Sequence, residues 1–306
     1  MQITAKVIQH SISAYTGKEI ITYELEYPRY IHSEFMTHRV FSRNAASSRA
    51  IPVETMQRQV MEHNVEFVHY GKNQPGMQAR EELDEISKKV VLNAWHSAKE
   101  YCVRMSANMT QVGAAKQVVN RMLEPWMMMK VVMTTTELTN WDWLRAHQDA
   151  QPEIQALAIE MHKAKQASEP MELKHGEWHV PYVTRYMDSS GIIFYGDGNG
   201  MSIEDARIVS ASCCAQVSYR KSDDSFEKAR SIFERLIGSE PVHASPIEHQ
   251  ATPIDYDFHM PEGMPVDPDW MANEGITSYH MDGSLGSGNF RDWIQFRQLI
   301  PNNTKW

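Results

Sequence analysis

Sixteen residues, 37–52, read THRVFSRNAASSRAIP. Arg39, Arg43 and Arg49 stand there among Ser42, Ser47, Ser48 and Asn44, with almost nothing large and apolar except Phe41. Guanidinium groups offer paired N–H donors, and hydroxyls with loop amides complete an anion nest, so this composition suits a phosphate. A solvated basic loop would use the same residues. Neither the GxxxxGK(S/T) of a P-loop nor the GxGxxG of a dinucleotide fold is present, so no familiar nucleotide motif accounts for it.

Other groups are ambiguous when taken singly. Arg145 and Glu153 read as surface charges on helices. Ser245 and Pro246 read as an N-cap and a first-turn proline ahead of Glu248 and His249. No metal site is expected, because His243 and His249 at i, i+6 fall on different helix faces and no HExxH occurs. Cys102, Cys213 and Cys214 form neither a disulfide framework nor a CxxC pair, and no flanking cations mark a lowered thiol pKa. They read as buried thiols, and the MMMK run at 127–130 as filler of core gaps.

Length and composition bound the rest. With 306 residues and 42% hydrophobic content the chain can bury a full core as one domain, 1–306. A formal charge of −9 disfavours sequence-independent nucleic-acid binding, which needs a net basic surface. No stretch reaches the roughly 18 apolar residues of a membrane span, and the N-terminus alternates like a strand, so a cytoplasmic protein is expected.

The patterns that must position these residues are α+β with helices dominant. Strands are predicted at 2–12 and 19–27 as a hairpin closed by Pro28, then a short helix over 29–40 that delivers 37–52 as a loop. Helices follow at 53–64, 81–109 and 114–124, a strand within 126–136, and helices at 137–146 and 151–168 with Pro152 in a first turn. Residues 169–201 and 261–288 are rich in Pro, Gly, Ser and Asp and read as linker or lid. Helices at 202–218 and 223–238 and a β-like run at 250–258 complete the pass.

Against this background, YELEYPRYIHSEFMTHRVFSRNAASSRA (23–50) resembles the signature region of the flavin-dependent thymidylate synthases (ThyX), where a strand and helix lead into an RHR-x7-S motif. Here the motif reads Thr37, His38, Arg39, seven residues, then Ser47, followed by Arg49; the first arginine is a threonine. NRMLEP (120–125) and NWDWLRAHQDAQPEIQ (140–155) are similar to two further family segments, in the family's order. VHASPIEHQATPIDYDF (242–258) resembles the H-x-(S/T)-P-F-E-H segment, which in the family precedes the motif helix; here it lies roughly 200 residues after it, so a permuted motif order is expected. GNFRDWIQFRQLIP (288–301) is similar to the family's flavin-contacting N-x-R helix, in competition with 134–145.

The resemblance implies a mixed or antiparallel sheet with a helical bundle and helical insertions. It implies FAD as cofactor, with NADPH and methylenetetrahydrofolate as co-substrates, and one-carbon transfer to C5 of dUMP. It places Glu34, Ser47, Arg49, Arg121 and Arg145 at the nucleotide, with Ser47 and Arg145 catalytic. It places His38, Arg39, Val40, Asn140, His243, Ser245, Glu248, Asn289 and Arg291 at the cofactor. It implies a homotetramer with sites between subunits, and longer members of this kind are associated with phage and bacteria. Two departures touch the substrate: Glu34 where glutamine is usual and Ala45 where glutamate is usual. These leave open a hydroxymethyl product or a cytosine substrate, and a flavin- or nucleotide-binding module without turnover.

Overall fold

The computed structural model describes residues 2–75, 79–196, 200–217, 225–259 and 274–304. The expected hairpin forms: β1 (Thr4–Ser13) and β2 (Glu19–Pro28) pair antiparallel, with a register shift between Val7 and Gln9. A 3-10 turn over 29–31 and α1 (His32–Phe35) follow, ending earlier than the sequence predicts. The reason is local. Thr37 Oγ1 donates to the Glu34 carbonyl at 2.7 Å, and Arg43 donates to the carbonyls of Phe35, Met36 and His38 at 3.4, 3.2 and 3.1 Å. Side chains thus satisfy the carbonyls that another helical turn would have used.

The predicted loop also contains a strand, β3 (Ser42–Ala45). Beyond it come α2 (Val53–Glu62), α3 (Glu85–Gln111), α4 (Lys116–Val119) and β4 (Met128–Thr135). Asp84 caps α3 by accepting from the amides of Ile86 and Ser87. The apolar periodicity of 83–98 does not mark the buried face: Ile86 and Val90 are 78% and 63% exposed. Instead Trp95, Cys102 and Val103 pack on Met56 and Val60 of α2.

Next are α5 (Thr139–Arg145), α6 (Pro152–Gln166) and β5 (Met171–Leu173). The main sheet has the order β3-β4-β2-β1-β5, antiparallel except for the parallel pair β1 and β5. The 169–201 region therefore contributes an edge strand, and it continues with a hairpin of β6 (Arg185–Met187) and β7 (Ile193–Tyr195). Then follow α7 (Ile203–Ala215), α8 (Phe226–Ile237), β8 (Ala251–Pro253) and α9 (Tyr256–His259). Of the expected lid 261–288, residues 261–273 lie outside those described; the remainder holds β9 (Ser278–Tyr279) and β10 (Leu285–Ser287). The 288–301 segment is β11 (Phe290–Arg291), β12 (Trp293–Gln295) and a 3-10 turn rather than the expected helix.

The two faces of the sheet differ. One is apolar: Ile21, Tyr23, Leu25 and Tyr27 of β2 and Met129, Val131 and Met133 of β4 pack on Trp141 of α5 and Ile154, Leu157 and Met161 of α6. Truncating one of these, as in Leu25→Ala, removes contacts worth about 2–5 kcal/mol. The opposite face carries a buried row in strand register, Gln9, Thr22, Thr134 and Ser42, across β1, β2, β4 and β3. Each member meets the C-terminal half. Gln9 Nε2 donates to the Val183 carbonyl at 3.4 Å, Thr22 bonds His179 at 2.8 Å, Thr134 bonds His249 at 2.8 Å, and Ser42 donates to Asn289 at 3.0 Å. Buried hydroxyls must be paired, so this row dictates where the second half seats. That half has its own core of Trp178, Val180, Phe233, Ile247 and Phe296.

Candidate active site

Where the second half meets β3, a cavity of about 660 Å³ opens. One wall is the basic stretch: Arg43, Asn44, Ala45, Ser47, Arg49 and Ala50. The facing wall is His243, Ser245 and Pro246, with Ala215, Val217 and Leu236 from the ends of α7 and α8; Gln117 completes the lining. The signature segment and the displaced 242–258 segment therefore share one space. The displaced 242–249 segment reaches the loop across the sheet despite its position in the chain.

Buttresses behind each wall hold these side chains. Asn120 Nδ2 donates to the carbonyls of Ser48 and Ile51 at 2.8 and 2.9 Å, which fixes the 47–50 turn. Glu124 accepts from Ser48 Oγ at 2.6 Å and pairs with Arg29 and Arg121, each at 3.2 Å. Asn44 Nδ2 donates to the Cys214 carbonyl at 3.0 Å, tying β3 to α7. On the far wall, Glu248 pairs with Arg297. Burial pushes its carboxyl above the ordinary value, opposed by Arg297 and Arg43. Burial also lowers the Arg43 guanidinium. Gln295 Nε2 donates to the Glu248 carbonyl at 3.1 Å and to Asn289 Oδ1 at 2.9 Å, so Asn289 is part of this scaffold.

The other expected site residues fall outside the cavity lining. Arg121 lies against Glu124. Arg145 Nε donates to His38 Nε2 at 2.9 Å and its terminal nitrogen to Thr37 Oγ1 at 3.2 Å. Arg39, Val40 and Asn140 are exposed, and Glu34 is half-buried. Arg291 pairs with Asp282 at 2.9 Å. Arg43 connects the two places, lining the cavity while donating to the His38 carbonyl. No cysteine lines the cavity. No group of three or more metal-ligating side chains occurs among the described residues.

Sequence reasoning named Arg43 and Asn44 only as members of the basic cluster, not as links, and passed over Asn120, Glu124 and Gln117. The signal for two of them was present: NRMLEP holds a buried asparagine and an acidic residue beside its arginine. The others are set by packing between α4, α7 and β3.

The donor set is cationic and hydroxylic, with no carboxylate among the described residues that line the cavity. It can hold phosphate oxygens. Its volume lies in the range of small-molecule sites, about 300–1,000 Å³.

The family described as thymidylate synthase complementing protein matches residues 4–171. Among solved structures, a UMP/dUMP methylase PolB from Streptomyces cacaoi bound with 5-Br UMP is 16% identical with a TM-score of 0.42, over 54% of this chain and 89% of that one. The same methylase bound with 5-Br dUMP gives 13% and 0.40 over the same shares. No curated protein matches the sequence. The far wall of the cavity, from Ala215 onward, lies beyond the matched residues.

Proposed function

The chain belongs to the thymidylate synthase complementing protein family, the flavin-dependent thymidylate synthases, and from that premise we propose that it transfers a one-carbon unit to C5 of dUMP, yielding dTMP. The observation that carries this reading is the cavity. Ser47 and Arg49 of the signature motif face His243 and Ser245 of the displaced motif, with Arg43 between, and no described lining residue carries a carboxylate.

Ser47 and Arg49 hold the nucleotide phosphate, since a hydroxyl and a guanidinium at a turn match its oxygens. His243 and Ser245, with Glu248 behind them, face the cofactor, and His38, Arg39, Val40 and Asn140 form its second contact surface. The donor set fits a phosphate-bearing cofactor. FAD, when bound, supplies the redox chemistry, with NADPH as reductant and methylenetetrahydrofolate as one-carbon donor. The protein's own part is positioning and charge stabilisation. No thiol nucleophile takes part, in keeping with a cavity lined by no cysteine.

In a single chain Arg145 and Asn140 lie outside the cavity lining. A second copy of the chain brings its α1–α5 surface to the cavity, so that the working enzyme is a homo-oligomer, a tetramer by analogy with the family. A second reading, a hydroxymethyl product or a cytosine substrate, is favoured by Ala45, which lines the cavity where the family usually carries glutamate.

The test begins with colour. Protein saturated with FAD should be yellow, and dUMP should perturb its flavin absorbance; absence of flavin binding sinks the proposal. Incubation with NADPH, methylenetetrahydrofolate and either dUMP or dCMP, followed by mass analysis of the nucleotide, separates the two readings.

A further inference from the structure

The polar row on the sheet extends into one hydrogen-bonded chain. Arg185 donates to Ser11 Oγ at 3.1 Å, and Ser11 Oγ lies 2.8 Å from His179 Nδ1. His179 Nε2 is 2.8 Å from Thr22 Oγ1, which is 2.7 Å from Thr134 Oγ1, itself 2.8 Å from His249 Nδ1. Ser11, Thr22, Thr134, His179 and His249 are all fully buried.

Hydroxyls alone would leave the chain without a direction, because each both donates and accepts. Arg185 supplies one. A guanidinium only donates, so Ser11 Oγ accepts from it and gives its own proton to His179 Nδ1. The reverse order would aim an imidazole N–H at an oxygen already facing a cation and would strand the Ser11 proton in the interior. Each later member is then determined. His179 donates from Nε2 to Thr22, Thr22 donates to Thr134, and Thr134 donates to His249 Nδ1. The His249 proton is left on Nε2, which has no hydrogen-bond partner among the described residues. Burial keeps both imidazoles neutral by holding them well below their ordinary value.

His249 closes the segment whose His243, Ser245 and Pro246 line the cavity, so the chain ties that wall to three strands of the sheet. We propose that Arg185 sets the direction of this chain and that the chain positions the 243–249 wall, making Thr22, Thr134 and His179 positioning residues. The positioning role rests on reading the cavity as a nucleotide site; the direction of the chain does not.

Imidazole ¹⁵N spectra of the wild-type protein should show His179 and His249 both protonated on Nε2. A proton on Nδ1 of either overturns the direction. Thr134→Val breaks the chain at near-constant volume, whereas Thr134→Ser keeps the hydroxyl. Calorimetry with dUMP should show binding about tenfold weaker in Thr134→Val and restored in Thr134→Ser, the scale of one lost buried hydrogen bond. Wild-type affinity in Thr134→Val overturns the positioning role. If the wild-type protein binds no dUMP, the cavity reading and the positioning role fall together, while the spectrum still decides the direction. Should Thr134→Val not fold, Arg185→Gln carries the same test: an amide that both donates and accepts should give mixed His179 tautomers and weaker dUMP binding, and unchanged tautomers overturn the assignment to Arg185.

Discussion

Arg145 Nε donates to His38 Nε2 across 2.9 Å, so the imidazole meets the guanidinium as an acceptor, with its proton on Nδ1. Burial, then Arg145, then Arg43 hold this histidine down at about 4. The same guanidinium reaches the hydroxyl of Thr37, which stands where the family motif has its first arginine. An arginine there would crowd cation against cation. Threonine accepts the contact instead.

Arg145→Ala should therefore let the His38 pKa rise toward its ordinary value, though burial will keep it below. The same substitution should abolish turnover while leaving bound FAD largely intact. An NMR titration and a flavin spectrum check both; loss of FAD would show that the role given to Arg145 is wrong.

Thr37→Val removes a hydroxyl that donates to the Glu34 carbonyl and accepts from Arg145. Both bonds are near solvent, so the stability cost should be modest, about 1 kcal/mol. The larger effect should be on turnover, because Arg145 loses an anchor. Urea denaturation alongside steady-state kinetics distinguishes the two.

Glu124→Ala should be more damaging. It strands Arg29, whose side chain is largely buried, and frees the Ser48 hydroxyl that pins the 47–50 turn. A loss of about 2–3 kcal/mol is expected from removing one partner of a part-buried charged cluster. Thermal denaturation measures it, and weaker dUMP binding should accompany it.

Acid should destabilise the fold through its histidines. His32 and His38 are lowered to about 4 and His249 to about 3, chiefly by burial, and His179 is lowered well below 6.5. The unfolded chain takes up these protons from its ordinary value of about 6.5 downward while the folded chain does not, so stability falls as pH drops below that point. Above it these groups contribute no slope. Melting temperatures from about pH 7.5 to about 4.5 should be flat and then decline; a decline confined to the alkaline side would contradict the buried, neutral assignment.

Arg49→Ala and Arg145→Ala offer a test of shared sites. Each should be inactive alone, since one loses a guanidinium that lines the cavity and the other the α5 arginine. Mixed oligomers should regain part of the activity if the two surfaces come from different copies. Mixtures that stay inactive after proven subunit exchange would place both residues in one chain's site.

Much of this protein could be read locally. The β1–β2 hairpin, the helix after Pro52, the first-turn Pro152 and the strand through 128–135 follow from alternation, turn residues and proline geometry, which act over a few residues. Ser47, Arg49, His243 and Ser245, which line the cavity, stand in segments that the sequence already marked by their resemblance to the family. What the tertiary structure decided is which of them meet. Ser42–Ala45 became a strand only because β4 supplies its ladder, and the apolar stripe of α3 faces outward because α2 packs on the opposite side. The 242–249 segment joins the opening stretch because the hydroxyl row on the sheet must be satisfied by the C-terminal half. Local rules see neighbours in sequence; the cost of burying an unpaired polar group is settled only when distant segments close on one another.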